Sequence, residues 1–483
     1  MAANKYLLND RAMRQFITNG YIQIRADFPP SLHRDIYQQI ETLLAKEGNP
    51  GNNILPRIPA LRKIFSHPAI HGALQSILGP GYIMHPHRYC HLNPPGGTGQ
   101  TWHKDDYIFD QNVRHHRCRW VMAFYYPQDV REDMGPTGIL PGTQFHNEIS
   151  SDDPAQSAEK ALPLCGEAGT VNIVNFDSWH RATANTSDEK RYMLKFQFLR
   201  MQEPHEPSWN QENPTWRPLE DDRNPRLSRA VWNWLSGQAG RGAQPISGNG
   251  SSAQLAAALC SPEEQPRLEA AYALSDLGEK VVPTLIESLR RESALRSEQN
   301  LDQTPANVQG GNPADLSGAH ALAAVGAPAV PELIEISRDS SAWVRASAAD
   351  ILGNIGPPAR SAATALAQSL QDENIWVRRN AAEALGCLGS EAAAAVPALR
   401  GALRDPSQWV RLNAALSLAK IGPPAATAVA ALLRTLEEDE NRYTRFFATL
   451  ALQKTATPAA QNALQEALFT SRWCPATTAE TPY

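Results

Sequence analysis

Cysteine is scarce and scattered. Six residues, Cys90, Cys118, Cys165, Cys260, Cys387 and Cys474, are spread over 483 positions without a single Cys-x-x-Cys pair. That argues against a zinc ribbon or a disulfide framework and suits a reducing compartment. Long apolar runs are missing as well. No stretch approaches the ~18 uncharged residues of a membrane-spanning helix, and the opening MAANKYLLNDRAMRQF lacks the apolar core of a secretory signal. Nor is there an excess of one charge: the net charge of −5 gives no electrostatic reason to expect nucleic acid or an anionic membrane. The expectation is a cytoplasmic protein with neither kind of partner. Its 483 residues allow two or three domains.

What is present centres on Trp102-His103-Lys104-Asp105-Asp106-Tyr107. On a strand, or at its end, His103 and Asp105 share one face. An imidazole and a carboxylate on one face are two thirds of a facial metal site. His180, in Asn175-Phe176-Asp177-Ser178-Trp179-His180-Arg181, is the candidate third ligand. Two histidines and one carboxylate leave three adjacent coordination positions open, the arrangement of non-haem Fe(II) oxygenases. Eleven residues after His180 stands Arg191, opening a strand-like run through Phe198. An arginine beside the metal can grip a carboxylate in a bidentate fork. An isolated His-x-Asp is common by chance; the combination with a distal histidine and a following arginine singles this one out.

Other histidines compete less well. His85 and His87 also share a face, but a cupin-type site needs a glutamate soon after, and none occurs between His87 and Glu132. They are expected to line the cleft or to be solvated, as is His91. His115, His116 and His146 show no partner pattern and are expected to be loop residues.

The order of elements follows from periodicity. Helical patterns cover 9–19, 32–46 and 60–78, the last broken at Pro68, with a short strand at 21–24 and a Gly/Asn/Pro loop at 47–60. From 82 onward, short apolar runs alternate with Gly and Pro turns: 82–93, 119–126, 137–140, 170–176 and 191–199. Such spacing suggests a sandwich or barrel, and a jelly roll would reunite His103 with His180 at its open end. The loop Pro94-Pro95-Gly96-Gly97-Thr98-Gly99 is expected at the mouth of the site. Residues 203–223 are irregular and rich in Pro and Trp. A helix follows at 225–236, then a Gly- and Ser-rich linker at 237–252.

The remainder is a repeat array. Trp343-Val344-Arg345, Trp376-Val377-Arg378 and Trp409-Val410-Arg411 are spaced 33 and 33, and Tyr443-Thr444-Arg445 follows at 34 as a degraded copy. Each precedes an Ala-rich helix, the first three ending at Gly356, Gly389 and Gly422; two weaker copies end at Gly278 and Gly326, separated by a polar insertion at about 290–314. A fixed period of this kind signals a solenoid of helix pairs. The repeated tryptophans are expected to pack between repeats, and the repeated arginines to hydrogen-bond between them.

These motifs carry two family resemblances. The repeats, about residues 253–470, resemble HEAT repeats. Residues 6–202 resemble the phytanoyl-CoA dioxygenase family of Fe(II)/2-oxoglutarate oxygenases. That resemblance rests on Trp102-His103-Lys104-Asp105, on Gly135-Pro136-Thr137-Gly138-Ile139-Leu140-Pro141-Gly142-Thr143 with Gln144 where His is usual, and on the block from Gly169 through His180 to Arg191. The resemblance implies a double-stranded β-helix (jelly roll) with His103, Asp105 and His180 on iron. It implies Arg191 on the distal carboxylate of 2-oxoglutarate and Trp120 lining the cosubstrate pocket. Family members commonly carry a hydroxyl residue two positions after the distal histidine. Here that position is Ala182, so Thr183 is the nearest second anchor. Related halogenases replace the metal carboxylate by Gly or Ala; with Asp105 present, hydroxylation with O2 is favoured.

The expected fold class is therefore multidomain α+β: a jelly roll with N-terminal helices, then an all-α HEAT solenoid. The expected domains are 1–202 for the oxygenase, 203–252 for the connector, 253–470 for the solenoid and 471–483 for a tail. Each half is expected to bury its own core, so that residues 1–236 would fold alone; the rival expectation is that the solenoid packs firmly on the oxygenase half, with Trp209, Trp216, Trp232 and Trp234 in the joint. The expected substrate is a small molecule, with the solenoid available to a protein partner. The rival readings are a HEAT scaffold carrying an inactive oxygenase domain, and an oxygenase acting on a macromolecule docked on the repeats.

Overall fold

The computed structural model describes residues 5–105, 115–149, 160–239, 251–298 and 316–470. Most of the expected linker, residues 299–314 of the insertion, and the tail lie outside them.

Eight strands form the first half: β1 (Tyr21–Ile24), β2 (Ile83–Asn93), β3 (Trp120–Tyr125), β4 (Thr137–Ile139), β5 (Leu162–Pro163), β6 (Val171–Asn175), β7 (His180–Ala182) and β8 (Arg191–Leu199). They make a five-stranded sheet, ordered β1-β6-β3-β8-β2, and a three-stranded sheet, ordered β5-β4-β7. All pairings are antiparallel. This is the expected jelly roll with N-terminal helices. Asn9 caps the helix Asp10–Asn19 by accepting from the Ala12 amide, and Gly20, at φ +75°, ends it. Gln144, at the position where His is usual, donates to the Ile17 and Thr18 carbonyls and so holds the end of that helix.

β8 is buried along its whole length. Its outward residues Tyr192, Leu194, Phe196 and Phe198 join the helices in one apolar core with Ile36, Phe65 and Leu74. The alternate residues Arg191, Met193, Lys195, Gln197 and Leu199 face the opposite way. Burial of both faces explains why polar–apolar alternation is only partly legible in this run.

The solenoid stacks helix upon helix. Glu264–Ser275, Ser317–Val325, Ala342–Ile355, Ile375–Leu388, Gln408–Ile421 and Arg442–Thr455 pack side by side. The helix Val282–Glu298 runs into the stretch expected to be a polar insertion. Trp343 and Trp376 are buried. The recurring arginines form an inter-repeat ladder. Arg345 grips Asp372 at 2.7 and 2.9 Å, Arg378 grips Asp405 at 2.7 and 3.2 Å, and Arg411 grips Asp439 at 2.8 and 3.4 Å. Each also donates Nη1 to two carbonyls of its own turn. Each acceptor aspartate receives an amide two residues on, so one carboxylate orders a turn and ties down the repeat before it. Arg378→Ala is expected to cost about 2 kcal/mol, the range for hydrogen bonds to charged groups. Urea denaturation would read this as a lower midpoint, with Arg378→Lys recovering part of it.

The two halves are packed against each other, the arrangement of the rival expectation of a firm joint. Among the described residues, at least five of the six stacked helices touch the oxygenase half. Tyr272 meets His116 at 2.8 Å, and His320 stacks on the same ring at 3.9 Å. Asn354 and Gly353 accept from Arg119 at 3.0 and 3.1 Å. Glu383 lies 3.6 Å from His115. Tyr443 bonds His87 at 2.8 Å and stacks on His85. His115, His116 and His146 lie in loops, as expected, but their side chains are packed and partnered rather than solvated, and His85 is not solvated either. His146 lies near Glu264 and bonds Asn224, and His85 is fully buried. The connector belongs to the same body. Trp209 donates to Asp10, Trp232 donates to the Pro214 carbonyl, and Trp234 donates to Glu203, which Arg119 grips through two nitrogens.

Candidate metal centre

His103 and His180 face each other across a two-way backbone bridge, each donating its amide to the other's carbonyl at 3.0 and 2.9 Å. Their rings lie 4.6 Å apart between centroids. Asp105 follows on the same side, and its Oδ1 is 3.7 Å from Nε2 of His180. The three candidate ligand atoms all lie within 4.8 Å of one another. The fold therefore brings together the three residues picked out by spacing.

The rings are oriented by a shared device. Nδ1 of His103 lies 2.9 Å from the Thr101 carbonyl, and Nδ1 of His180 lies 3.0 Å from the Ser178 carbonyl. A carbonyl can only accept, so each Nδ1 carries a proton and Nε2 is the nitrogen left to face a metal. Burial pulls the pKa of His180 down to about 4, with Lys195 and His103 adding to the effect against Asp105. The ring is neutral at pH 7, the form that ligates a metal. Burial works to raise the Asp105 pKa, but Lys195, His180 and His103 outweigh it and hold the carboxyl well below the usual range. Two imidazoles that present Nε2 and one carboxylate are a donor set that fits Fe(II).

Beside the triad lies a cavity of about 330 Å³, walled by Asn93, Gln100, Phe124, Arg181, Arg191 and Met193 among others. Arg191 is 1% exposed and directs Nε and Nη2 to the Gly135 carbonyl at 2.9 and 2.6 Å, leaving Nη1 outside that bond. Gly135 sits at φ +67°, where a Cβ would stand 2.3 Å from the Asn93 amide nitrogen. Only glycine fits there, which is why its carbonyl can hold Arg191 and Asn93 together. Gly99 and Thr98 line the cavity, as expected of the loop at its mouth.

Two of the expected cosubstrate residues stand elsewhere. Trp120 pairs with Leu199 at the far end of β3 and packs against His85 and Phe176. Four residues further along the same strand face, Phe124 takes the place in the cavity wall. Thr183 donates its hydroxyl to the Pro136 carbonyl at 2.7 Å and does not line the cavity. The residue that spacing missed is Lys195, whose Nζ lies 2.6 Å from Asp105 Oδ2. Its signal was available: it stands four residues after Arg191 and so on the same face of β8. His91 lines the cavity, and burial lowers its pKa to about 3.

Residues 18–193 match the phytanoyl-CoA dioxygenase (PhyH) family, and 330–405, 363–434 and 396–473 match HEAT repeats. The chain joins a phytanoyl-CoA dioxygenase domain to HEAT repeats. The family is one of Fe(II)/2-oxoglutarate-dependent oxygenases. No curated protein matches the chain. Among solved structures similar to the phytanoyl-CoA dioxygenase domain is the non-heme α-ketoglutarate-dependent carbocyclase SnoK from nogalamycin biosynthesis. It is 19% identical, with 40% of this chain and 85% of that one covered and a TM-score of 0.34. Another is iron-bound HygX from Streptomyces hygroscopicus, at 13% identity, 40% and 87% coverage and a TM-score of 0.34. A third is the non-heme monooxygenase ThoJ in its nickel complex, at 16% identity, 46% and 95% coverage and a TM-score of 0.32.

Proposed function

We propose that the phytanoyl-CoA dioxygenase domain binds Fe(II) through His103, Asp105 and His180, holds 2-oxoglutarate through Arg191, and hydroxylates an unactivated C–H bond of a small molecule. The observation that carries this reading is the convergence of His103, Asp105 and His180, with a ligand atom of each within 4.8 Å of the others, at the wall of a cavity that also holds a buried arginine. Iron with 2-oxoglutarate and O2 supplies the oxidation, and the protein's residues supply the placement. The Thr101 and Ser178 carbonyls fix both imidazoles in the ligating tautomer. Asp105 brings the negative charge that a divalent cation needs among Arg181, Arg191 and Lys195. Arg191, clamped by Gly135, is pre-aimed and matches a carboxylate in shape and charge. Phe124 and Met193 give the reacting end an apolar wall. The stacked helices of the solenoid are already occupied by the oxygenase half, which supports a small molecule entering the cavity over a macromolecule recruited by those helices. The protein partner expected of the repeats would then meet the opposite layer of helices.

The test is succinate release from 2-oxoglutarate by the full-length protein with Fe(II) and O2, repeated with fractionated metabolite extracts. A slow basal rate raised by particular fractions is the expected result; no release under any condition would favour the inactive scaffold. Arg191→Ala is expected to raise the 2-oxoglutarate concentration for half-maximal rate. Losing the partner of a buried carboxylate costs roughly 2–5 kcal/mol, at least about thirty-fold. Arg191→Lys should recover part of this, since it keeps the charge and loses the fork. An unchanged requirement would shift the role to Arg181, which also lines the cavity.

A further inference from the structure

Lys195 has no part in the reaction as described, yet its placement is specific. It lies on β8 between Tyr89 of β2 and Phe124 of β3 in register. The side chain is 11% exposed, and among the described residues its ammonium meets one carboxylate, that of Asp105, at one of its two oxygens. Oδ2 is held by Nζ at 2.6 Å, while Oδ1 is the oxygen that stands 3.7 Å from His180. Packing alone would be served by an apolar chain of the same length, such as methionine, and a buried ammonium is costly without a partner.

We infer that Lys195 is a positioning residue for the metal carboxylate: by holding Oδ2 it presents Oδ1 alone, so that Asp105 takes one coordination position. This rests on the triad reading above. The count of positions gives it consequence. Two imidazoles and one carboxylate oxygen would hold the metal while leaving three positions for 2-oxoglutarate and O2. A carboxylate chelating through both oxygens would take one of those three. Lys195 is thus assigned to keeping the third position available, and to fixing the carboxylate before the metal arrives.

Metal-free full-length protein and its K195M and K195R variants would be titrated with Fe(II) under anaerobic conditions by calorimetry, and with Co(II) by visible absorption. Co(II) reports coordination through its ligand-field bands and needs no turnover. K195M is expected to bind Fe(II) about 10–100-fold more weakly, the usual effect of losing a group that orients a ligand, and to change the intensity of the Co(II) bands. K195R should restore most of the affinity and the wild-type spectrum. Circular dichroism of all three proteins would establish that they share one fold. Three outcomes overturn the inference. K195M could bind Fe(II) as tightly as wild type, with the same Co(II) spectrum. It could bind more tightly, which would make Lys195 a competitor for the metal position. Or it could lose only 2-oxoglutarate affinity, which would make Lys195 a cosubstrate anchor. A wild-type protein that itself binds no Fe(II) would overturn the triad reading, and this inference with it.

Discussion

Asp105→Ala is expected to abolish succinate release and to weaken Fe(II) binding by more than about a hundred-fold, beyond the range typical of groups that only orient a ligand. Asp105 is one of three protein ligands in the proposed site and its only anion. Without it, a divalent cation would enter a cavity still walled by Arg181, Arg191 and Lys195. The same substitution should also destabilise the metal-free protein, because Lys195 is left buried opposite an alanine. Breaking a buried charge pair costs about 3–5 kcal/mol. The low end applies here, since the two side chains are 11% and 17% exposed. The two effects can be separated. Asp105→Ala combined with Lys195→Met should regain most of the denaturation midpoint and none of the Fe(II) affinity. An Asp105→Ala protein with wild-type metal affinity and rate would remove Asp105 from the site altogether.

The triad was legible because local rules encode it. A two-residue spacing puts His103 and Asp105 on one face, and an eleven-residue offset from His180 places Arg191 on the next strand. The repeats were legible for a similar reason: Trp-Val-Arg recurs at a fixed period, and the matching aspartates, Asp372 and Asp405, sit in the turns. Trp120 illustrates where such rules stop. It shares its strand and face with Phe124, and only the register with β8 decides which of the two reaches the cavity. Thr183 was chosen for its hydroxyl, but that hydroxyl is already committed to the Pro136 carbonyl. Of the contact surface between the halves only the joint was legible, in the four tryptophans Trp209, Trp216, Trp232 and Trp234 that pack in one core with Leu268 and Tyr272; the residue pairs across it were not. His87 and Tyr443 are 356 residues apart, and His116 and Tyr272 are 156 apart. No local period relates such pairs. One trace of the surface was visible without being readable. Where three repeats carry tryptophan, the fourth carries Tyr443, and the hydroxyl that this exchange supplies is the one that bonds His87.

A chain ending at residue 236 is therefore expected to aggregate, or to melt far below the full-length protein, and to lose Fe(II) binding. The argument lies in what the cut uncovers. Arg119 would keep Glu203 but lose Asn354 and Gly353, and Arg117 would lose the Asn354 carbonyl. Arg226 and Arg229 would lose Asp276. His116 would lose both Tyr272 and His320, and His85 would lose Tyr443, Phe446 and Phe447. Hydrogen bonds to charged groups contribute roughly 1.5–3 kcal/mol each, and whole domains are stable by only about 5–15 kcal/mol. Even with water replacing some of these partners, the losses are comparable to the total. The apolar surface points the same way. Met122, Phe124 and Phe176 of the jelly roll belong to one continuous core with Val344, Leu385 and Phe447 of the solenoid. Producing residues 1–236 together with 251–483 as separate chains should restore solubility and metal binding, because the contacts need no covalent link. A soluble, monomeric 1–236 fragment with the melting temperature and Fe(II) affinity of the full protein would show the opposite: that the oxygenase half completes its own fold and the solenoid merely rests on it.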